Sequence, residues 1–303
     1  MDVYLPIANL SVNGLVIAGL GLLTGMLSGI FGVGGGFLTT PLLIFYGIPP
    51  TVAAASAASQ VTGASVSGVI AHRQRGGVDY QMGIVLVVGG VLGTGIGAVV
   101  FSLLQRLGQI DTVISVLYVA MLGGIGFVMA RESIQTLRAG ADGARPARKR
   151  RHHPLVASLP GRWRFYRSGL CISPLAPLLL GMFTGMLTML MGIGGGFVLV
   201  PAMLYILGMS AQVVVGTSLF QILFVTMATT LMHALTTHAV DLVLAVLLLV
   251  GSVSGAQIGA KFALKASPVR LRLALAVIVL LVAARMALGL TWHPDEIFTV
   301  NPL

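Results

Sequence analysis

The chain is poor in charge and nearly free of cysteine. Only 9% of its 303 residues are charged, whereas a soluble globular domain carries about 25%. Its one cysteine, Cys171, can form no internal disulfide and lies in no Cys/His cluster that would predict a metal site. Neither a His-Glu-x-x-His zinc sequence nor a Walker phosphate-binding motif is present. The sequence therefore predicts a protein that is not an enzyme and that holds no metal and no cofactor.

Apolar residues take the place of the missing charge. The chain is 56% hydrophobic and its mean hydropathy is +0.99, values typical of a membrane protein. Two short apolar segments lie near residues 35–47 and 195–207. Eight longer segments, each sufficient to cross a bilayer core of about 30 Å, lie near residues 8–31, 51–71, 80–104, 110–131, 174–191, 211–236, 239–262 and 271–291. We therefore predict an all-α polytopic membrane protein.

Positive charge is concentrated near the middle of the chain. Ten of the 18 Lys and Arg residues lie between Arg131 and Arg167, where glycines and prolines are also frequent. A basic loop between membrane segments is kept in the cytoplasm and is attracted to anionic lipid headgroups. We favour this interpretation over nucleic-acid binding, although the net charge is +10. The predicted organisation is a first membrane repeat at 1–131, a basic cytoplasmic linker at 132–173 and a second membrane repeat at 174–303.

A glycine-rich motif that occurs twice indicates an internal duplication. Residues 25–41 and 185–201 are identical at nine of seventeen aligned positions. The alignment continues to pair Gln60 with Gln221 and His72 with His233. Each motif interrupts an apolar segment with glycines, which are poor helix formers. Each half is therefore expected to contain a long helix, a glycine break, a short helix and three further spans.

The two halves are expected to face opposite ways in the membrane. The loop near residues 73–75 is basic whereas its counterpart near residue 238 has no Lys or Arg, and the next pair of loops reverses this difference. Under the positive-inside rule this pattern indicates an inverted repeat. Such a repeat needs an odd number of crossings per half, which is obtained if each broken helix forms a hairpin of two membrane helices. Eight crossings with short re-entrant segments are the alternative to ten.

The glycine breaks are the first candidates for a binding site. Successive glycines expose backbone N–H groups beside the N-terminus of the next helix, an arrangement that attracts anions. In an inverted repeat the two breaks would face each other near the middle of the membrane. The alternative is close helix packing, which glycine also permits. The candidate residues are Gly32, Gly34, Gly35 and Gly36 in the first copy and Gly192, Gly194, Gly195 and Gly196 in the second.

Polar residues in the helix after each break are the second candidates. Gln60 and Gln221 lie in the middle of these helices, where a buried amide needs hydrogen-bond partners. They either join neighbouring helices or donate to the oxygens of an anion. The hydroxyl groups that would assist them are those of Ser56, Ser59, Thr217 and Ser218.

Titratable groups are scarce within the apolar segments. His72 and His233 are candidates for proton coupling because histidine titrates near neutral pH, and the alternative is a hydrogen-bonded histidine at the interface. Asp79 and Asp241 open the following helices and are expected to cap them. None of the eight acidic residues lies in the middle of an apolar segment, whereas a cation transporter usually places a carboxylate there. A small anion therefore suits the sequence better than a cation.

Together these motifs resemble the TauE/SafE family, also called sulfite exporters. The resemblance covers nearly the whole chain and is carried by the glycine motifs through Pro41 and Pro201, by the glutamine helices and by the glycine-rich segments 89–98 and 251–260. The chain departs from the pattern at Met189, which stands where the first copy has Gly29, so looser packing is expected beside the second break.

The resemblance implies transport of sulfite, sulfonates or related organosulfur anions. We therefore predict a secondary transporter of a small, sulfur-containing anion in a bacterial inner membrane. It would work by alternating access and be coupled to protons. The alternatives are a passive anion channel and a non-transporting membrane assembly protein.

Overall fold

A computed structural model of the chain describes residues 2–31, 35–74, 76–138, 163–263 and 268–291. Two of the candidate glycines, Gly32 and Gly34, lie outside these residues, as does the most basic part of the predicted linker. The described residues are predominantly helical, which confirms the prediction of an all-α membrane protein.

Ten α-helices in the described residues form two successive series of five. The first series comprises α1 (Gly14–Phe31), α2 (Gly36–Phe45), α3 (Pro50–Gln74), α4 (Tyr80–Arg106) and α5 (Ile110–Arg138). The second comprises α6 (Leu175–Met191), α7 (Gly196–Tyr205), α8 (Ala211–Met232), α9 (Leu242–Ala263) and α10 (Pro268–Thr291). A π-helical turn, His233–Thr237, continues α8. Both series have the predicted order of long helix, break, short helix and three further helices.

The helices differ in how well they suit a membrane crossing. In the part of the chain that the structure describes, five are long and apolar enough to cross, namely Tyr80–Arg106, Ile110–Arg138, Val213–Thr237, Leu242–Gly259 and Leu273–Leu290. The helices α1 and α6 are shorter apolar helices by the same criteria. The helix α3 is long but carries several polar residues. Ser56, Gln60 and Ser65 of this helix are buried, so these polar groups contact protein rather than lipid.

Each series is preceded by a β-hairpin that the sequence analysis did not predict. Strand β1 (Asp2–Leu5) pairs with β2 (Leu10–Asn13), and β3 (Trp163–Phe165) pairs with β4 (Leu170–Ile172). The predicted apolar helix from residue 8 is therefore wrong at its start, since α1 begins at Gly14. The stretch predicted as a linker contains the end of α5 and the whole second hairpin. Strands of three or four residues are too short to show the alternation by which strands are recognised.

The first helix of each series packs against the fourth helix of the other series. Gly25 of α1 contacts the backbone of Ser252 in α9, and Gly185 of α6 contacts the backbone of Gly90 in α4. Further contacts along both pairs ascend together in residue number, so the paired helices run parallel. Small residues allow such close approach of backbones in lipid, which explains the glycines that precede each break.

The helices α3 and α8, which hold matching positions in the two series, run antiparallel where they meet. Ser59 lies beside Thr230 and Thr62 lies beside Thr226, so residue numbers ascend on one helix and descend on the other. Antiparallel matching helices are what an inverted repeat requires. How the two halves face the two sides of a membrane stays a prediction.

The described helices therefore interleave into two units that each combine both series. The helix α3 packs against both α8 and α9, and α8 packs against both α3 and α4. We name α1, α3 and α9 unit A, and α4, α6 and α8 unit B. The antiparallel α3–α8 pair joins the two units.

Candidate functional site

The described parts of the two glycine breaks lie in contact. A Cβ atom at Gly36 would lie 2.9 Å from the carbonyl oxygen of Gly192 and 3.1 Å from that of Ile193. The residues that follow the breaks, Phe37 and Phe197, are buried and stacked, with ring centroids 4.8 Å apart and planes 7° from parallel. Because these two residues hold matching positions in the halves, their stack marks the centre of the repeat.

The second break presents backbone donors at the N-terminus of α7. Gly192, Gly194 and Gly195 have φ angles of +71°, +75° and +72°, which residues with a Cβ atom rarely adopt. The hydrogen bonds of α7 begin with the Val198 N–H, which donates to Gly195. In the described ranges we find no acceptor for the N–H groups of Ile193, Gly194 and Gly195. Together with the positive end of the helix dipole, these groups can attract an anion.

The opposite end of this break, the C-terminus of α6, is covered by side chains. The Tyr118 hydroxyl and the Thr40 hydroxyl donate to the carbonyl oxygen of Met191, at 2.5 and 3.3 Å. The Nε2 atom of His233 lies 3.0 Å from the carbonyl oxygen of Met189. These contacts satisfy carbonyl groups that a helix leaves free at its C-terminus. Sequence reasoning missed Tyr118, whose only signal is a lone tyrosine in an apolar segment.

Apolar side chains line the contact between the second break and the helices α3 and α8. A Cβ atom at Gly194 would lie 2.9 Å from both the Val61 and the Ile222 side chains. These two residues directly follow Gln60 and Gln221, and successive residues on a helix point about 100° apart. The structure therefore places valine and isoleucine at the break, and it does not bring the glutamines to that point.

The two glutamine side chains are buried without partners. Gln60 and Gln221 expose 1% and 0% of their surface. Neither the Nε2 nor the Oε1 atom of either side chain has a hydrogen-bond partner among the described residues. Leaving one buried polar group unpaired costs about 1–3 kcal/mol, so water or a ligand is expected to supply partners. The alternative interpretation of these amides as direct interhelical hydrogen bonds finds no support here.

The two amides face different helices. A Cβ atom at Gly90 of α4 would lie 3.1 Å from Nε2 of Gln221. Gln60 lies one turn after Ser56, whose hydroxyl contacts the N-terminus of α9, so Gln60 lies on the face of α3 toward α9. In the antiparallel register of α3 and α8, Gln60 is level with Ala228. Ala228 lies seven residues after Gln221, so the levels of Gln60 and Gln221 are roughly 10 Å apart along the helix axis.

The candidate hydroxyl groups each have a partner. Ser56 and Thr217 accept backbone N–H groups at the start of α9 and α4, at 3.1 and 2.9 Å. Ser59 contacts Thr230 across the α3–α8 pair at 3.4 Å. Ser218 donates to a carbonyl of its own helix at 2.9 Å. Ser59 lies beside Thr230, twelve residues from Ser218 along α8, or roughly 18 Å, so these hydroxyl groups do not surround a single point.

The N-terminus of the fourth helix in each half is held by an aspartate, as predicted. The carboxylates of Asp79 and Asp241 accept N–H groups from the first turns of α4 and α9, at 3.2 and 3.1 Å. Each also accepts an N–H group from the hairpin of the other half, namely Ser168 at 2.9 Å for Asp79 and Ile7 at 3.1 Å for Asp241. We call each of these arrangements an aspartate staple. Each staple lies within a single unit. The Asp241 staple belongs to unit A, since β1–β2 leads into α1, and the Asp79 staple belongs to unit B, since β3–β4 leads into α6.

The matching histidines lie in different environments. His72 is partly buried and contacts a carbonyl of its own helix at 3.0 Å. His233 is fully buried in the π-helical turn, with its Nδ1 atom 3.2 Å from the Thr237 hydroxyl. Its ring packs edge-to-face against Phe101 at 4.9 Å between centroids. Of the two histidines, His233 is the one that contacts the α6 terminus beside the break.

Comparisons with known proteins agree with this architecture. The model of the family described as sulfite exporter TauE/SafE matches residues 17–286. The probable membrane transporter protein YjnA of Bacillus subtilis is 28% identical over 267 residues, covering 86% of this chain and 94% of the relative. A probable membrane transporter protein of Xylella fastidiosa is 28% identical over 255 residues, covering 84% and 86% of the two chains. The sulfite exporter TauE/SafE family protein 3 of Arabidopsis thaliana is 30% identical over 138 residues, covering 42% of this chain and 29% of its own. No solved structure matches the chain.

The family match extends from α1 into α10 and includes both glycine motifs and both glutamine helices. The prediction of a multi-pass membrane transporter for a small molecule, rather than an enzyme, is confirmed at the level of the family. The chain belongs to the sulfite exporter TauE/SafE family.

Proposed function

We propose that the protein is a secondary transporter of a small sulfur-containing anion, such as sulfite or a sulfonate, in a bacterial inner membrane. The observation that carries this proposal is the pair of buried, unpaired amides of Gln60 and Gln221. Amide N–H groups can donate to the oxygens of such an anion as they do to water. The name of the family and the bacterial relatives called probable membrane transporters support the same substrate class and location.

Neutral donors suit an anion that must be released again. The buried polar side chains of the described residues include no Lys or Arg. Amides and helix termini favour an anion without supplying a full countercharge, so binding is weak enough for the anion to leave. The buried carboxylates of Asp79 and Asp241 lie about one helical turn from the glutamine of the other half, since the backbone N–H groups of these residues contact Thr217 and Ser56. They are held in the aspartate staples, where they accept backbone N–H groups.

The bodies that move are unit A and unit B rather than the two sequence halves. Close glycine contacts join α1 to α9 and α6 to α4, and an aspartate staple secures each unit at one end. The antiparallel α3–α8 pair between the units carries the hydroxyl contact of Thr62 with Thr226 at 2.8 Å. Hydroxyl pairs exchange partners more easily than glycine-packed backbones separate, because the latter are close-packed. Rocking of the units about this pair would open the breaks alternately to the two sides.

Proton coupling is assigned to His233 rather than to His72. His233 is buried and contacts the carbonyl of Met189 beside the second break. A proton on this imidazole would place positive charge next to the break and so favour anion binding there. Binding of the anion would in turn favour protonation, since linkage is reciprocal.

Flux of radiolabelled sulfite into proteoliposomes tests the proposal. We expect saturable uptake, faster uptake when unlabelled sulfite is present on the opposite side, and a further increase with a pH gradient. Empty liposomes are the control. Absence of sulfite flux would reject the substrate class, equal flux with and without the gradient would reject proton coupling, and unsaturable flux without counterflow would identify a channel.

A further inference from the structure

We infer that each chain holds two separate positions for an oxyanion, one at the Gln60 amide in unit A and one at the Gln221 amide in unit B. The inference rests on the proposed function and deepens it, because it replaces one central site with two positions that an anion occupies in turn. Both positions would take the same chemical class, a small anion with oxygens that accept hydrogen bonds from amide N–H groups.

Both amides are buried without hydrogen-bond partners among the described residues. A glutamine amide offers two N–H donors and one carbonyl acceptor, and neither Gln60 nor Gln221 uses any of these within the described residues. Both side chains are at least 99% buried, so bulk water does not solvate them. An unpaired amide in such a place is retained at a cost in stability, which suggests that it serves a ligand.

The two amides lie at different levels of the α3–α8 pair and face different helices. The α3–α8 register places them roughly 10 Å apart along the axis, and they face different partner helices, α9 and α4. Hydrogen bonds to amide donors span about 3 Å. Because the two amides also face different helices, we expect an anion of the size of sulfite to bind one amide at a time.

Hydroxyl groups lie between the level of Gln60 and the level of Gln221. The Thr62–Thr226 pair lies on the α3–α8 interface between the levels of the two amides. Ser65, one turn further along α3, is buried, and its Oγ atom has no partner among the described residues. The hydroxyl protons of Thr62 and Thr226 are already donated within the α3–α8 pair, whereas, among the described residues, the Ser65 hydroxyl is free to donate to an anion. An anion that passes from one unit to the other would therefore meet Ser65 and would displace the partners of the threonines.

Electrostatic repulsion predicts how the two positions fill. Two unit charges about 10 Å apart repel one another appreciably at the effective dielectric constant of a protein. The second anion is therefore expected to bind about tenfold more weakly than the first. Both positions should be occupied at high anion concentration.

Equilibrium binding of radiolabelled sulfite to the purified full-length protein tests the inference. We expect the wild-type chain to bind two sulfite ions at saturation, with affinities about tenfold apart. Gln60→Leu and Gln221→Leu should each retain one ion, and the double variant should retain none. Gln105→Leu, at an exposed position at the end of α4, is the matched control and should bind two. Thermal unfolding provides the check on folding, because replacing an unpaired buried amide with leucine should not lower the melting temperature.

The outcomes separate this inference from the proposed function. One sulfite ion per wild-type chain, lost in either single variant, would overturn the two positions and leave a sulfite transporter with one site. The absence of any saturable sulfite binding would overturn both. Two ions that persist in the double variant would show that the amides are not the binding groups.

Discussion

The two glycine breaks have nearly the same sequence, yet their surroundings differ. Gly35 in the first break has φ of −66°, whereas its counterpart Gly195 has φ of +72°. The α6 terminus before the second break accepts hydrogen bonds from Thr40 and Tyr118. The position in the second half that matches Thr40 is Val200, which has no hydroxyl group. Thr40 therefore supplies a donor to the second break that its counterpart among the described residues cannot return.

Other parts of the two halves remain equivalent. Both have an N-terminal hairpin, an aspartate staple, a glycine-packed pair of helices and a buried glutamine. The duplication has therefore preserved the hairpins, the staples, the glycine-packed helices and both amides, whereas the region around the second break has acquired its own contacts. The same substitution at matching positions of the two halves should have similar effects in the preserved parts and dissimilar effects near the breaks.

The largest effect is expected at Gly192. A Cβ atom at Gly192 would overlap the carbonyl oxygen of Ala54, and the φ of Gly192 is +71°, so Gly192→Ala introduces both a clash and backbone strain. We expect a loss of about 3–4 kcal/mol in unfolding free energy. Gly36→Ala should cost less, because its nearest neighbour is the side chain of Val61.

Thermal unfolding of the detergent-purified variants measures this difference. Gly124→Ala is the control, since nothing lies within 4 Å of a Cβ atom at that position and alanine favours the helix. If Gly192→Ala melted with the control, the close contact at the second break would be contradicted.

The second-largest loss of stability is expected when an aspartate staple is removed. Asp79→Ala and Asp241→Ala each remove a helix cap and a hairpin contact, and we expect a cost of about 2–3 kcal/mol for each. The second hairpin is also held by Arg167, which donates to the carbonyl of Gly76 at 2.7 Å. Asp241→Ala should therefore release its hairpin more fully, as amide hydrogen exchange of residues 2–13 would show. Gln105→Ala, at an exposed position, is the control, and equal exchange in all three variants would argue against the staples.

Substitution of the histidines is expected to have the smallest effect on stability. The two histidines should nevertheless differ clearly in their effect on the dependence of transport on a pH gradient. His233→Phe leaves the carbonyl of Met189 without its partner and should cost about 1–2 kcal/mol, whereas His72→Phe should change stability by less than about 0.5 kcal/mol. Dependence of sulfite flux on a pH gradient should disappear in His233→Phe and persist in His72→Phe. Loss of that dependence in the His72 variant alone would reverse the assignment.

Much of this architecture could be predicted from the sequence. The repeated glycine motif located both breaks, and the register of the repeat paired Gln60 with Gln221 and Asp79 with Asp241. The hairpins could not be predicted, because their strands are short and their aspartate partners lie far away in the chain. The sequence also led to the expectation that both glutamines meet at one central anion, whereas the α3–α8 register places them roughly 10 Å apart along the axis. Spacing shows that a residue lies in the middle of a helix, but the direction in which it faces depends on which neighbours the helix finds.

The central claim is that the buried amides hold the transported anion. The most direct test is sulfite counterflow in proteoliposomes that contain wild-type protein or the Gln60→Leu/Gln221→Leu double variant, with Gln105→Leu as the matched control. The account predicts that the control exchanges sulfite like the wild type. It also predicts that the double variant, folded and with an unchanged or higher melting temperature, loses counterflow to the level of empty liposomes. Wild-type counterflow in the folded double variant would contradict the account.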